Sequence, residues 1–499
     1  MQSWMRADEH RRNRSPDESV RLLLAAAVIL VFLGVAIYLR ELMLAEPDLW
    51  WHIKTGLWMW QHGKTPNSDF YSYTFAGHPW MAKEWLSQLI FAATYTLGNW
   101  SAVSALAMLV LALATGLLYW SISGFLRPSL AAAITLVAFL VTCNTFTIRP
   151  HLLTLPLLVI WTDQLFKSSL NVRAPSFLLL VVISLWANLH AAFTMGFVIA
   201  FFAFLDFIEN GGWWKKEALW KWLVFLALCP VVTLLHPYSY RAMMATLWVF
   251  RPNEGTVPLG EWQPFNAQLL PIHATVLLGL AFGAMTSGFR LGLARALLIV
   301  LLTYLFLAHL RYAFFLFPVL AVIAPAAISK QFPKLSADRW RAGERDPLEQ
   351  RMHDAFRPVM SVVCGIAATM LGLQLFVLHT APSEKVSPSA AIAYAKAHGL
   401  SGHVFNDYNF GGPLIFNDIP TFIDGRSDQL FIGDISKEFE ASLKDEKTLI
   451  EVLSKHDMQW TLFTPEDPRT KMLDKLPGWK RVFADENAII HQRQDALSQ

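Results

Sequence analysis

Charge is scarce in this chain. Asp, Glu, Lys and Arg make up only 16% of its 499 residues, and the mean hydropathy is +0.38. A soluble protein could not hide the long apolar runs such a composition implies, so the chain reads as a polytopic membrane protein. Cysteine is nearly absent. Cys143, Cys229 and Cys364 all lie in apolar runs, which excludes a disulfide framework and a cysteine-built metal site. No P-loop and no dinucleotide fingerprint is present, so ATP-driven pumping and soluble nicotinamide chemistry have no support. A GxSxG hydrolase signature is missing too. No histidine pair has HxxxH or HxH spacing, and no sustained repeat or low-complexity tract occurs. The net charge of +3 says little about partners, and no nucleic-acid partner is expected.

What positive charge there is falls in a pattern. Arg6, Arg11, Arg12, Arg14 and Arg21 precede or open an apolar run of full spanning length. No small-residue cleavage site follows, so the run reads as an uncleaved first span and not as a signal peptide. Apolar runs follow at Val20–Leu39, Ser101–Ile122, Leu130–Thr147, Leu152–Phe166, Phe177–Leu189, Ala191–Phe207, Leu219–Leu235, Pro271–Thr286, Leu291–Leu307, Tyr312–Ile328 and Val359–Leu378. Several are shorter than the roughly 20 residues of a simple span, and the pair within 177–207 reads as broken or re-entrant helices. With the N-terminus cytoplasmic, the inner loops collect Lys167, Arg173, Lys215, Lys216, Lys221, Arg290, Arg295 and the basic stretch 330–357. This is the positive-inside pattern. Counting Trp85–Leu97 as a span would reverse it, so that segment is assigned as an interfacial helix. About eleven spans result, with the C-terminus outside.

The organising stretch is Ala45-Glu46-Pro47-Asp48-Leu49-Trp50-Trp51-His52. Asp48 stands where a helix N-cap would stand, Trp50, Ile53, Leu57 and Trp60 recur at helical spacing, and Gly63 is a stop. This helix is too short to span and too aromatic for open water, so it is placed in the interface. The outer loops collect the unusual polar residues: Glu46, Asp48, His52 and Glu84 in the first, then Arg149 with His151, Asn188 with His190, His236 through Glu261, and His309 with Arg311. Ionisable groups at membrane depth cost roughly 2.5–3.5 kcal/mol unless they face a cavity or a partner. Their gathering on one side points to a single polar cavity opening outward. Asp48, Glu84 and Glu46 are candidates for general-base work, although an N-cap and a first-turn acid explain the first two equally well. Arg149 and Arg311 suit an anion such as phosphate, against the plainer reading of arginines snorkelling to headgroups. His52, His151, Asn188, His190, His236 and Glu261 are placed around these groups. The tryptophans could stack on sugar rings, though interface anchoring explains most of them. The one cofactor with room in this chemistry is a divalent cation, Mg or Mn, held by first-loop carboxylates.

After Thr380 the composition changes. Strands are expected at His403–Phe405, Leu414–Phe416, Thr421–Ile423, Trp460–Phe463, Arg481–Phe483 and Ala488–His491. Helices are expected at Ile435–Leu443 and Thr448–Lys455. Gly411-Gly412 and Asp424-Gly425 read as turns. The chain thus divides into a basic cytoplasmic N-terminus (1–19), a transmembrane domain (20–379, first outer loop 42–99) and a small soluble α/β domain on the outer face (380–499).

A first span, a large acidic outer loop with two interfacial helices and many further spans resemble the GT-C class of membrane glycosyltransferases. That class includes protein O-mannosyltransferases, the lipid A aminoarabinose transferase and the oligosaccharyltransferase catalytic subunit. Pro47-Asp48-Leu49-Trp50-Trp51-His52, Arg149-Pro150-His151, Trp186-Ala187-Asn188-Leu189-His190, Glu261-Trp262, Phe405-Asn406-Asp407-Tyr408 and Ile423-Asp424-Gly425-Arg426 resemble a bacterial GT-C-like branch. The resemblance implies a multi-pass protein of the bacterial inner membrane. It implies transfer of a sugar from a polyprenyl-phosphate donor to a glycan, lipid or protein acceptor on the periplasmic face, among membrane lipids and with inversion. By position, Asp48 falls on the catalytic acid of the class and Glu84 on the second acidic position. The rival expectation is a non-enzymatic carrier or transporter of lipid-linked glycans, or an envelope assembly partner, using the same cavity for binding only.

Overall fold

The computed structural model describes residues 16–248, 263–341, 351, 355–378, 380–427, 429–431 and 433–494. Each apolar run of the sequence contains a helix. Among the described residues five helices are long and apolar enough to cross a bilayer: Glu18–Tyr38, Trp85–Ser123, Ala191–Glu209, Leu310–Gln331 and Pro358–Val377. Four shorter apolar helices, Pro128–Thr142, Leu179–Leu189, Pro271–Ser287 and Leu293–Ala308, stand beside them. One continuous apolar cluster runs through the bundle, from Val28 and Phe32 on the first helix to Leu316 and Ile323 late in the chain.

Two breaks position the outer end. The helix from Trp85 is interrupted at Gly98 and Asn99, where Asn99 takes φ 52°. Asparagine tolerates that left-handed region better than most residues. The break separates the Trp85–Leu97 segment from the long apolar helix after it. A second break falls at His190, which is extended between Leu179–Leu189 and Thr194–Glu209. It turns the chain at cavity depth and leaves the His190 Nδ1 to accept the Ala192 N–H at 3.2 Å.

The sequence counted Arg295 among the cations of the expected inner loops. The structure buries it inside the Leu293–Ala308 helix, where Nε and Nη2 donate to Asp206 at 2.8 and 2.9 Å. A guanidinium at that depth needs such a bidentate partner. Glu209 caps the same helix by accepting from Leu293 N and Ala294 N.

The C-terminal domain, expected on the outer face, carries a four-stranded sheet ordered β1-β2-β4-β3: β1 His403–Asn406, β2 Met458–Phe463, β3 Trp479–Ala484 and β4 Ile489–Arg493. β1 and β2 run parallel; the other pairs are antiparallel. Two expected strands are corrected. Leu414–Phe416 lies in a helix, Gly411–Phe416. A short apolar run carries no period that tells strand from helix, and the paired glycines do not turn the chain but let the helix abut its neighbours. A Cβ at Gly412 would overlap the Pro47 carbonyl, and one at Gly411 would meet Asp424. Thr421–Ile423 stays out of the sheet; Thr421 instead bridges to Ser72 of the first outer loop.

That bridge is part of a broad union. Tyr73 N donates to Thr421 O and Thr421 N to Tyr71 O, each at 3.1 Å. Tyr73 stacks on His403 at 4.1 Å. Trp51, Tyr71 and Trp80 of the loop share one buried cluster with Phe405, Phe422 and Phe431 of the outer domain. Loop and domain therefore form one folded layer over the helix bundle.

Candidate active site

Between that layer and the bundle lies a cavity of about 550 Å³. Its floor and near wall are Glu46, Asp48, His52, Lys83 and Glu84. Span ends add Arg149, His151, His190 and Arg311; the outer domain adds Tyr408, Gly425 and Ser427. Apolar and aromatic side chains, Met195, Leu270, Phe306, Phe314 and Phe315, line it as well. The cavity thus combines charged and apolar lining.

Asp48 opens the Asp48–His62 helix but does not cap it. Pro47 is the N-cap, and the Asp48 N–H is offered to Glu46 Oε1 at 3.4 Å. The expected N-cap role is therefore corrected: Pro47 takes that position and has no side-chain acceptor, and Asp48 sits one position inside the helix with its carboxylate reaching sideways. Its Oδ1 accepts from Trp51 Nε1 at 3.1 Å. Its Oδ2 accepts from Arg149 Nη2, while Arg149 Nε reaches Glu46 Oε1 at 3.1 Å. One guanidinium is thus shared by two buried carboxylates.

Glu84 stands just before the Trp85 helix, with no side-chain capping bond. Its oxygens face two imidazoles, His190 Nε2 at 3.6 Å and His52 Nε2 at 4.0 Å. Because His190 Nδ1 accepts a backbone N–H, the ring's hydrogen lies on Nε2, aimed at the carboxylate. An Nε2–H has no lone pair for a metal ion. Glu46 and Asp48 are likewise taken up by Arg149. Among the described residues no group of three or more His, Cys, Asp and Glu side chains converges as cation ligands would. Burial, with Arg149 and Lys83 nearby, holds the His52 imidazolium well below its usual pKa, so His52 is neutral at pH 7.

Other expected residues lie behind the wall. His236 Nε2 donates to the Lys83 carbonyl at 2.9 Å, and its Nδ1 accepts from Tyr238 N. Asn188 accepts from Trp85 Nε1 at 2.7 Å and donates to Leu235 O. Both fix the Lys83-Glu84-Trp85 corner without lining the cavity. His151 lines it and donates through Nε2 to Thr145 O at 2.8 Å. Glu261 lies outside the described residues. Lys83 was missed, although a lysine directly before Glu84 was a signal in the sequence; the structure buries it. Gly425 of the C-terminal domain was read as a turn residue. Burial and the Asp48 charge push the Tyr408 phenol pKa up, which records how close the two come.

A helical chain with a C-terminal α/β domain and this cavity between them has the fold of two solved membrane transferases, an oligosaccharyltransferase and ArnT. No protein-family model matches the chain, and no curated protein matches it. Among solved structures it is similar to the Archaeoglobus fulgidus oligosaccharyltransferase in the apo form, with TM-score 0.53 and 12% identity over 88% of this chain and 69% of that one. The same values hold for the archaeal oligosaccharyltransferase AglB from Archaeoglobus fulgidus in complex with an inhibitory peptide and a dolichol-phosphate. ArnT from Cupriavidus metallidurans bound to undecaprenyl phosphate matches with TM-score 0.50 and 14% identity, over 92% of this chain and 97% of that one. At such identities the likeness is one of fold.

Proposed function

We propose that the protein is a polyprenyl-phosphate-dependent glycosyltransferase of the bacterial inner membrane, working on the periplasmic face. The observation that carries this reading is a cavity with both charged and apolar lining, in a fold shared with an oligosaccharyltransferase and ArnT. A lipid-linked sugar phosphate needs a charged end for the phosphate and the reacting carbon, and an apolar wall for the start of the lipid. Structural neighbours with bound dolichol-phosphate and undecaprenyl phosphate support the choice of lipid. Asp48 takes the proton from the acceptor hydroxyl, whose oxygen bonds to the anomeric carbon. The bond from that carbon to the phosphate oxygen breaks, and the phosphate leaves with the electron pair. One displacement inverts the anomeric configuration. Arg311 and Lys83 face the phosphate charge, and Glu84, between two N–H groups, orients the acceptor.

The direct experiment supplies the protein in lipid nanodiscs with a panel of polyprenyl-phosphate sugars and a crude envelope acceptor fraction. Free polyprenyl phosphate is the expected product. Donor that binds and stays intact across the whole panel would replace the enzyme with a carrier. The two cations give a separate prediction. Arg311→Ala and Lys83→Ala should each weaken undecaprenyl phosphate binding, measured by titration, about ten- to a hundredfold, the range for a charged hydrogen bond lost.

A further inference from the structure

The outer domain reaches Asp48 through a ring of contacts. Arg426 is 1% exposed and lies between two carboxylates. Its Nε and Nη2 donate to Asp424 at 2.8 and 2.7 Å, and Nη1 donates to Asp69 of the first outer loop. Its guanidinium sits 4.9 Å over the Trp80 ring. Trp80 meets Trp51 edge-on at 6.2 Å, and Trp51 donates to Asp48 Oδ1. The ring closes through the backbone. Gly425, next to Arg426, lies so close to Asp48 that a Cβ there would overlap Oδ1. The φ of Gly425 is not in the left-handed region, so the need for glycine here is steric.

Burying an arginine with two aspartates is no cheap way to hold two domains together. A packed apolar substitute is often as stable or more so, and the better attested use of such groups is to fix one arrangement. Here the arrangement fixed is that of Asp48. Its Oδ1 is bounded by Trp51 on one side and Gly425 on the other, and both are anchored to Arg426.

We infer that the Asp424-Gly425-Arg426 turn of the outer domain is a positioning element for Asp48: Arg426 anchors it, and the bare Gly425 backbone sets the carboxylate's rotamer toward Arg149. The inference rests on the reading of Asp48 as the reacting acid only for its effect on turnover; the contact itself is tested apart from it. Arg426 and Gly425 are positioning residues and need not touch the donor.

The test is a double-mutant cycle in nanodiscs with Gly425→Ala, Asp48→Ala and the pair. Gly425→Ala should lower polyprenyl phosphate release about a hundredfold, the cost of misplacing a reacting group by roughly 1 Å, while undecaprenyl phosphate affinity stays within about threefold of wild type. A merely structural role would lower both together. The fall in melting temperature caused by Gly425→Ala should vanish in the Asp48→Ala background, where the added methyl finds space. An equal fall in both backgrounds would overturn the inference, because Gly425 would then act on something other than Asp48. A wild-type protein that releases no polyprenyl phosphate defeats the glycosyltransferase reading instead, and the melting cycle still decides the contact.

Discussion

Asp48→Asn should leave a folded protein that binds undecaprenyl phosphate and has lost about 10²–10⁴-fold of its polyprenyl phosphate release, the usual contribution of a general base. The substitution keeps the shape and removes the charge. It also removes one acceptor. Asp48 now takes Trp51 Nε1 on Oδ1 and Arg149 on Oδ2. An amide has one oxygen, so one of those donors must face an NH₂ group. That mismatch costs about 1–3 kcal/mol of stability, which a melting curve reads separately from turnover. Glu46 remains to hold Arg149 at 3.1 Å, so the cavity wall should survive. If Asp48→Asn keeps its turnover and Glu84→Gln loses it, the proton goes to Glu84, and Asp48 is only the clasp for Arg149. Should neither substitution matter, the charged lining of this cavity is not where the chemistry occurs.

The parts of this structure legible in the sequence are those governed by neighbours along the chain. The Asp48–His62 helix, its stop at Gly63 and the interruption before Trp100 follow from local spacing and from one charge argument. β1, β2 and the β3–β4 pair sit where alternation and turn residues placed them. Glu46, Asp48, Glu84, Arg149, His52, His151, His190 and Arg311 do line one cavity, because a shared side of the membrane is a strong constraint on where rare polar groups can go. What escaped depends on partners distant in sequence. Nothing along the chain announces that Arg149 will meet Glu46 and Asp48, or that Asp69 will meet Arg426. Gly411-Gly412 and Gly425 were read as turns, the commonest use of glycine, whereas their use here is close approach to Pro47 and Asp48. Lys83 was overshadowed by Glu84; the His236 bond to its carbonyl and the Trp85 bond to Asn188 show that the corner is built to place both.

Removal of the Arg426 guanidinium should detach the outer domain from the first loop. Arg426→Ala leaves Asp69 and Asp424 buried, both under 2% exposed, with no cation between them. Breaking a buried ionic group by deleting one member costs about 3–5 kcal/mol. The loss should fall on the union and not on the helix bundle. Asp69 orders the loop by accepting from Tyr71 N at 2.9 Å, and Tyr71 and Tyr73 are the residues that pair with Thr421. Hydrogen exchange at the amides of Tyr73 and Thr421 should therefore speed up by about two to three orders of magnitude, while amides in Leu155–Leu170 keep their protection. An internal control exists. Lys54 and Asp418 form another ion pair across the same union, at 2.6 Å, but the Asp418 side chain is 79% exposed. Lys54→Ala should cost less than about 1 kcal/mol there, because water already screens the pair. Two substitutions that each remove one cation from one interface would then differ severalfold, and burial alone would account for the difference. Equal, small effects would mean that the aromatic cluster of Trp51, Trp80, Phe405 and Phe422 holds the domain in place without the charges. In that case the Arg426 group would have orientation as its only task.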